Sequence, residues 1–173
     1  IKFIYGDILD KKFLFNHLKD ADIVHHLAGI TDVARVAKES RAEKDQKLNL
    51  VAFQGTNNVL SAMNSNAKII FPSTHVIYEG EKLLRKNINE KETPSPILAY
   101  ASGKYENEKQ IKKSGKKFII FRLGSVYGYS NDSTRLDIMT NLFSRISSQN
   151  GTINLFSGGK QFKSIVPLTD VAR

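Results

Sequence analysis

The chain has no cysteine among its 173 residues, which excludes disulfides and thiolate metal sites and leaves the redox compartment open. No run of about 20 apolar residues is present, so no helical membrane span and no membrane partner is expected. No charged start leads into an apolar stretch and a small-residue cleavage site, so no signal peptide is visible and a reducing cytoplasm is the default location. Basic residues without interleaved aromatics are also telling. The net charge is +9, from 26 Lys and Arg against 17 Asp and Glu, but the lysines are scattered and only KKSGKK at 112–117 forms a cluster. Solvated helix faces or an anionic ligand such as a nucleotide diphosphate explain that balance better than nucleic acid does. Polar, frayed ends are missing too. Ile1 already lies in an apolar run, and VPLTDVAR stops without a terminator. We therefore expect an internal piece of a longer chain.

What is present is alternation. IKFIYGDI at 1–8, DIVHHLAGI at 22–30, AKIIFPST at 67–74 and KKFIIFRLGSVYG at 116–128 are short and apolar on consecutive positions. That is how parallel strands read when helices cover both faces. Helical spacing appears in KKFLFNHLKD, from Arg41 to Met63, after Pro96 through ILAYASGKYENEKQIKKS, and from Thr134 to Ser148. Strand–helix alternation along the whole length predicts an α/β doubly wound parallel sheet. EGEKLLRKNINEKETPSP is a polar excursion, long enough to line a site.

Ligands of such sheets bind beyond the carboxyl ends of the strands. The residues there are Gly6, Asp7 and Ile8; Ala28, Gly29 and Ile30; Ser73, Thr74 and His75; and Gly124 to Gly128. Three tyrosines have a lysine four residues later: Tyr78 with Lys82, Tyr100 with Lys104, and Tyr105 with Lys109. Spacing alone selects none of them. Tyr105 lies five residues beyond Tyr100 on one predicted helix, a rotation of about 140°, so both cannot face one site. Tyr105 opens the charged run YENEKQIKK, which reads as a solvated face with glutamate–lysine pairs. Lys82 sits in the polar excursion, where the spacing implies no contact. Tyr100 with Lys104 is the pair selected. An ammonium about 4 Å from a phenol, at an effective dielectric near 20, contributes roughly 4 kcal/mol, or about three pKa units. A phenolate acting as a base near neutral pH then becomes accessible, with the Thr74 hydroxyl able to bond the same substrate oxygen.

These residues carry a resemblance. GDI at 6–8, HHLAGI at 25–30, GTNNVL at 55–60, FPSTHVIYEG at 71–80, Glu90 ten before Tyr100, YASGK at 100–104 with Glu108 four further on, FRLGSVYG at 121–128 and SGGKQFKSIVPLTDVA at 157–172 follow one another in order. The chain resembles the extended short-chain dehydrogenase/reductase family, the NAD-dependent nucleotide-sugar epimerases and dehydratases, with UDP-galactose 4-epimerase-like enzymes the nearest type. The resemblance implies a Rossmann-like fold, incomplete because the first βαβ unit with its glycine-rich loop and the C-terminal part are absent. It implies a partial dinucleotide-binding domain over 1–150 and the start of a nucleotide-sugar-binding region over 151–173. It places Thr74, Tyr100 and Lys104 in catalytic roles, and Asp7, Ile8, Leu27, Ala28, Gly29, Ser73, Tyr100 and Lys104 at the cofactor, NAD with NADP possible. His75, Ser125 and Lys163 fall to the substrate. No metal is implied. A homodimer is implied for the full-length protein.

Departures from the family pattern narrow the expectation. Ala52 stands where the family has asparagine, with Asn49 one turn earlier. Ser125 replaces an asparagine, and Lys163 replaces an arginine, which keeps the charge but loses the fork. His75 and Val76 follow Thr74 where the dehydratases carry an acidic pair, which disfavours loss of water. Epimerisation of a nucleotide sugar through a transient ketone is the expected reaction. A reductase or dehydratase of the same family, a non-catalytic dinucleotide-binding scaffold and a basic nucleic-acid binder are the rivals. The fragment by itself is expected to bind NAD weakly and turn nothing over. His25 and His26, one to each strand face, read as packing or capping residues, and Arg122 with Asp170 as a structural ion pair.

Overall fold

The computed structural model describes residues 2–30, 46–81, 87–131, 134–136, 138–160 and 162–173. Lys82 of the third tyrosine–lysine pair, and the beginning of the helical stretch expected from Arg41, lie outside these residues. The chain divides into two compact units, residues 1–122 and 123–173.

In the first unit, α1 (Lys11–Leu18) begins where the Asp10 side chain accepts the Phe13 N–H at 2.9 Å, satisfying one of the free donors of the first turn. Strand β1 (Ile23–His25) pairs in parallel with β2 (Lys68–Thr74), with Ile23 opposite Lys68 and His25 opposite Ile70. Between them a π-helical turn (Leu50–Gly55) leads directly into α2 (Thr56–Ala62). Beyond β2 come a 3-10 turn (His75–Tyr78), α3 (Ala99–Lys113) and β3 (Lys117–Leu123), giving the strand order β1-β2-β3. Gly115, at φ 74°, ends α3, a conformation that glycine adopts without a Cβ clash.

The core joins Leu14 of α1, Val24 of β1, Val59, Leu60 and Met63 from and beyond α2, Ile69 and Phe71 of β2, and Ile111 of α3. All of it lies on one face of the sheet. The other face carries Ile23, Ile119 and Phe121, all exposed. IKFIYGDI differs from its expectation. Its described residues, 2–8, form no strand, and Phe3 and Tyr5 are 78% and 88% exposed, their rings meeting edge-on at 4.9 Å. A β-prone run has no structure without a ladder partner, and no described strand lies beside this one.

In the second unit, β4 (Ser125–Tyr127) pairs in parallel with β5 (Ile165–Pro167), followed by α5 (Leu168–Ala172). The run KKFIIFRLGSVYG is thus two strands broken at Gly124, where a Cβ would sit 2.8 Å from Ser164 Oγ. Helix α4 (Met139–Ser148) starts later than the expected Thr134. The Thr134 hydroxyl instead bonds Ser130, accepting from its N–H and donating to its carbonyl at 3.1 Å each. Such local side-chain bonds compete with helix. Among the described residues no helix is long and apolar enough to cross a membrane.

Candidate active site

The carboxyl end of β2 is built around Thr74. It is the last strand residue, is buried, and its Oγ1 accepts the Val76 N–H at 3.3 Å, capping the 3-10 turn that follows. His75, in that turn, is half-buried. Helix α3 packs against both β2 and the turn. Tyr100 is its second residue, half-buried, and Lys104 follows one turn later on the same face. The Lys104 ammonium donates to the Pro72 carbonyl at 2.9 Å and lies 4.5 Å from the centre of the Phe71 ring. The helix is thereby tied to β2 two residues before Thr74. Burial lowers the Lys104 pKa from 10.5 to about 8, so the group is still a cation at neutral pH.

The other two tyrosines are committed elsewhere. Lys109 lies over the Tyr105 ring at 4.4 Å and bonds Glu106 at 2.6 Å on the helix surface. The Tyr78 hydroxyl accepts from Arg122 Nη1 and donates to the Asn89 carbonyl at 3.2 Å. Burial pushes its pKa up, against the opposing pull of Arg122. Neither has the environment of a base.

Arg122 and Asp170 were expected to pair, and Arg122 pairs with Glu108 instead. Its Nε and Nη2 reach the carboxylate at 3.0 and 2.6 Å. Ser73 Oγ donates to the same carboxylate at 2.6 Å. Glu108 has no solvent exposure. Burial alone would raise its pKa, but the bonds from Arg122 and Ser73 and the charges of Arg122 and Lys112 hold it below the usual carboxylate value. The run YENEKQIKK is therefore only partly a solvated face, since Asn107 and Glu108 point inward. Sequence reasoning missed this role. The available signal was Arg122, a cation following the apolar run Phe118–Phe121 within β3, which had to find an anion as it became buried.

A second buried network supports the first helix pair. His26 Nε2 lies 2.9 Å from Thr56 Oγ1. With its amide oriented to suit its neighbours, Asn107 accepts from Thr56 Oγ1 at 3.1 Å and donates to the carbonyls of Ala52 and Gly103 at 3.0 Å each. The Thr56 proton is then used, and the His26 Nε2–H is the donor. Burial, with a smaller contribution from Lys104, lowers the His26 pKa to about 4, so it stays neutral. His26 packs, as expected, and His25 is exposed. The motif GTNNVL acquires a physical reading here. Gly55 lets Ile8 approach to 3.1 Å of its Cβ position, Thr56 holds His26, and Asn58 donates to the carbonyls of Ile8 and Leu9 at 3.1 and 3.2 Å.

The cofactor candidates fall in two places. Leu27, Ala28 and Gly29 follow β1 and are exposed, at the same sheet edge as Ser73 and Thr74. Gly29 has open space where a side chain would be. Ile8 is half-buried against Gly55, while Asp7 accepts the Leu9 N–H at 2.8 Å in a tight turn. In the second unit, Ser125 begins β4 and its N–H bonds the Ser164 carbonyl at 2.8 Å, next to exposed Lys163. The two substrate candidates of that unit are therefore brought together.

A family model described as RmlD substrate binding domain matches residues 5–156. No curated protein matches the chain. Among solved structures, a UDP-glucuronic acid 4-epimerase from Bacillus cereus, in complex with UDP-glucuronic acid and NAD, is 26% identical at a TM-score of 0.77, covering 98% of this chain and 52% of its own. A UDP-glucose 4-epimerase from Thermotoga maritima, with UDP-glucose, is 23% identical at 0.80, covering 97% and 55%. A dTDP-glucose 4,6-dehydratase from Streptomyces venezuelae, with NAD, is 21% identical at 0.79, covering 99% and 52%. The chain spans about half the length of the solved structures it matches, and its Rossmann-like parallel fold is theirs in part.

Proposed function

The chain belongs to the family of RmlD substrate binding domains, of the short-chain dehydrogenase/reductase type, and from that premise we propose that the full-length protein epimerises a nucleotide-diphosphate sugar through a transient ketone, with NAD as cofactor. The observation that carries this reading is the attachment of Lys104 to β2 just below Thr74, with Tyr100 one turn away on the same helix face. Tyr100 removes the proton from a sugar hydroxyl. Thr74 hydrogen-bonds that oxygen and holds it toward the phenol. Lys104 keeps a positive charge beside them, which favours the phenolate, and it holds the nicotinamide ribose. When bound, NAD supplies the hydride acceptor and returns the hydride to the ketone.

The cofactor residues in this chain suit a dinucleotide at its two ends and not at its pyrophosphate. In this reading the half-buried amine of Lys104 and the hydroxyls of Tyr100 and Thr74 supply the donors to a ribose and a reacting oxygen. None of the 11 glycines stands in a Gly-x-x-Gly-x-x-Gly turn that would seat the pyrophosphate on a helix start. Leu27 to Gly29 and Ser73 are assigned to the open edge, and Asp7 with Ile8 to the adenine side. His75 is assigned to the substrate beside Thr74, Ser125 and Lys163 to the substrate's phosphates, and residues 151–173 to the start of the nucleotide-sugar-binding region. NAD is chosen over NADP because the 26% identical UDP-glucuronic acid 4-epimerase carries it. His75 and Val76 supply no acid for loss of water, which favours epimerisation over dehydration. A homodimer in the cytoplasm completes the reading.

The test is incubation of the full-length protein with NAD and UDP-glucose or UDP-GlcNAc, following the C4 epimer by NMR. Accumulation of the epimer supports the reading. Inertness toward both sugars, with NAD demonstrably bound, leaves a dinucleotide-binding scaffold.

A further inference from the structure

Glu108 is fully buried, and none of the roles above uses it. A buried ion pair seldom stabilises more than an apolar replacement would, so stability alone is a poor reason for one here. Its connections suggest another. Glu108 receives Ser73 Oγ at 2.6 Å and the fork of Arg122 at 2.6 and 3.0 Å. Arg122 passes its remaining nitrogen, Nη1, to the Tyr78 hydroxyl and to the Glu90 carbonyl, the latter at 3.1 Å. Tyr78 in turn donates to the Asn89 carbonyl. These partners surround Thr74 in the chain. Ser73 precedes it on β2, Tyr78 ends the turn that it caps, and residues 89 and 90 belong to the polar excursion. The base of that excursion is closed by Gly80 N–H to the Ser95 carbonyl at 2.7 Å and Ser95 N–H to the Ile77 carbonyl at 2.8 Å.

We propose that Glu108 and Arg122 are positioning residues: one buried ion pair that fixes the Thr74 hydroxyl and the 87–95 segment in a single arrangement. Arginine is required for this because its planar fork serves the carboxylate while leaving Nη1 for the turn and the excursion. A lysine supplies the charge without the shared geometry. The consequence for catalysis rests on the epimerase reading; the positioning itself does not.

The experiment is amide hydrogen exchange on the wild type, Arg122→Lys, Ser73→Ala and a core control, Ile69→Val. In Arg122→Lys, exchange at Val76, Gly80 and Ser95 is expected to accelerate about tenfold more than at Leu14 and Met63, whose helical bonds are remote from the pair. Ser73→Ala shows the same pattern more weakly, and it decides the matter if the lysine variant fails to fold. Ile69→Val accelerates all five amides by a common factor. A common factor in Arg122→Lys and Ser73→Ala as well overturns the proposal. Where the full-length protein turns over UDP-glucose, Arg122→Lys lowers kcat at nearly constant KM; a rise in KM alone contradicts positioning of Thr74. A wild type inert toward both UDP-glucose and UDP-GlcNAc refutes the epimerase reading, and the exchange pattern still decides the role of the pair.

Discussion

Replacing Lys104 by methionine is expected to stabilise the fold while removing its function. Methionine keeps the length of the stem and removes the charge. The fall of the Lys104 pKa from 10.5 to about 8 corresponds, at 1.36 kcal/mol per pH unit, to about 3 kcal/mol by which burial disfavours the ammonium. Against this, the Pro72 carbonyl loses its donor, a cost of about 1–2 kcal/mol. The net gain at pH 7 is about 1–2 kcal/mol. The pH dependence supplies the sharper check. A group whose pKa is depressed by folding contributes stability above its unfolded pKa, and that contribution is lost as pH falls through the folded value. Wild-type stability therefore rises relative to the variant between about pH 8 and pH 10.5, and the advantage of methionine disappears across that window. Urea unfolding of both proteins at pH 7 and at pH 9.5 measures it. A methionine variant that is less stable at pH 7, or a difference constant from pH 7 to 9.5, refutes the claim that a buried charge is being carried here for function.

The neutral His26 gives the corresponding acid limb. Its pKa falls from 6.5 to about 4, so wild-type stability is lost progressively from about pH 6.5 down to pH 4, by about 3 kcal/mol in all. Denaturation of His26→Gln over the same range should show a flatter profile, and identical profiles contradict the assignment. Gly103→Val should cost about 1–3 kcal/mol by calorimetry, because a Cβ there already lies 3.3 Å from Ala52 Cβ and Leu48 Cδ2 where α3 meets the π-helical turn. Asp10→Ala should cost about 1 kcal/mol of thermal stability through loss of the α1 cap, with no change in α3.

Much of this fold was legible where burial and period agree. AKIIFPST became β2 and the run after Pro96 became α3 because their apolar residues meet partners within the chain. IKFIYGDI was misjudged because strand propensity is expressed only through a neighbouring ladder, which periodicity does not report. The break at Gly124 was hidden because an unbroken apolar run does not reveal a close backbone approach by Ser164. At the candidate site, spacing and strand ends pointed to Thr74 at the end of β2 and Lys104 on α3. The Glu108–Arg122 pair could not be found that way, since Arg122 signals a partner without naming it and Glu108 looks like a surface charge until tertiary packing seals it. His26 was rightly taken as a packing residue, but its partner Thr56 lies 30 residues away and no local pattern names it.

The most direct test compares three single substitutions in the full-length protein: Tyr100→Phe, Tyr105→Phe and Tyr78→Phe, with kcat measured on UDP-glucose in the presence of NAD. Loss of a positioned general base removes about a hundredfold or more of rate. Tyr100→Phe is predicted to lose at least that much with its fold intact, while Tyr105→Phe keeps wild-type turnover and Tyr78→Phe loses less than Tyr100→Phe. A Tyr100→Phe enzyme as fast as wild type contradicts the central claim that this phenol, one turn from Lys104, moves the proton.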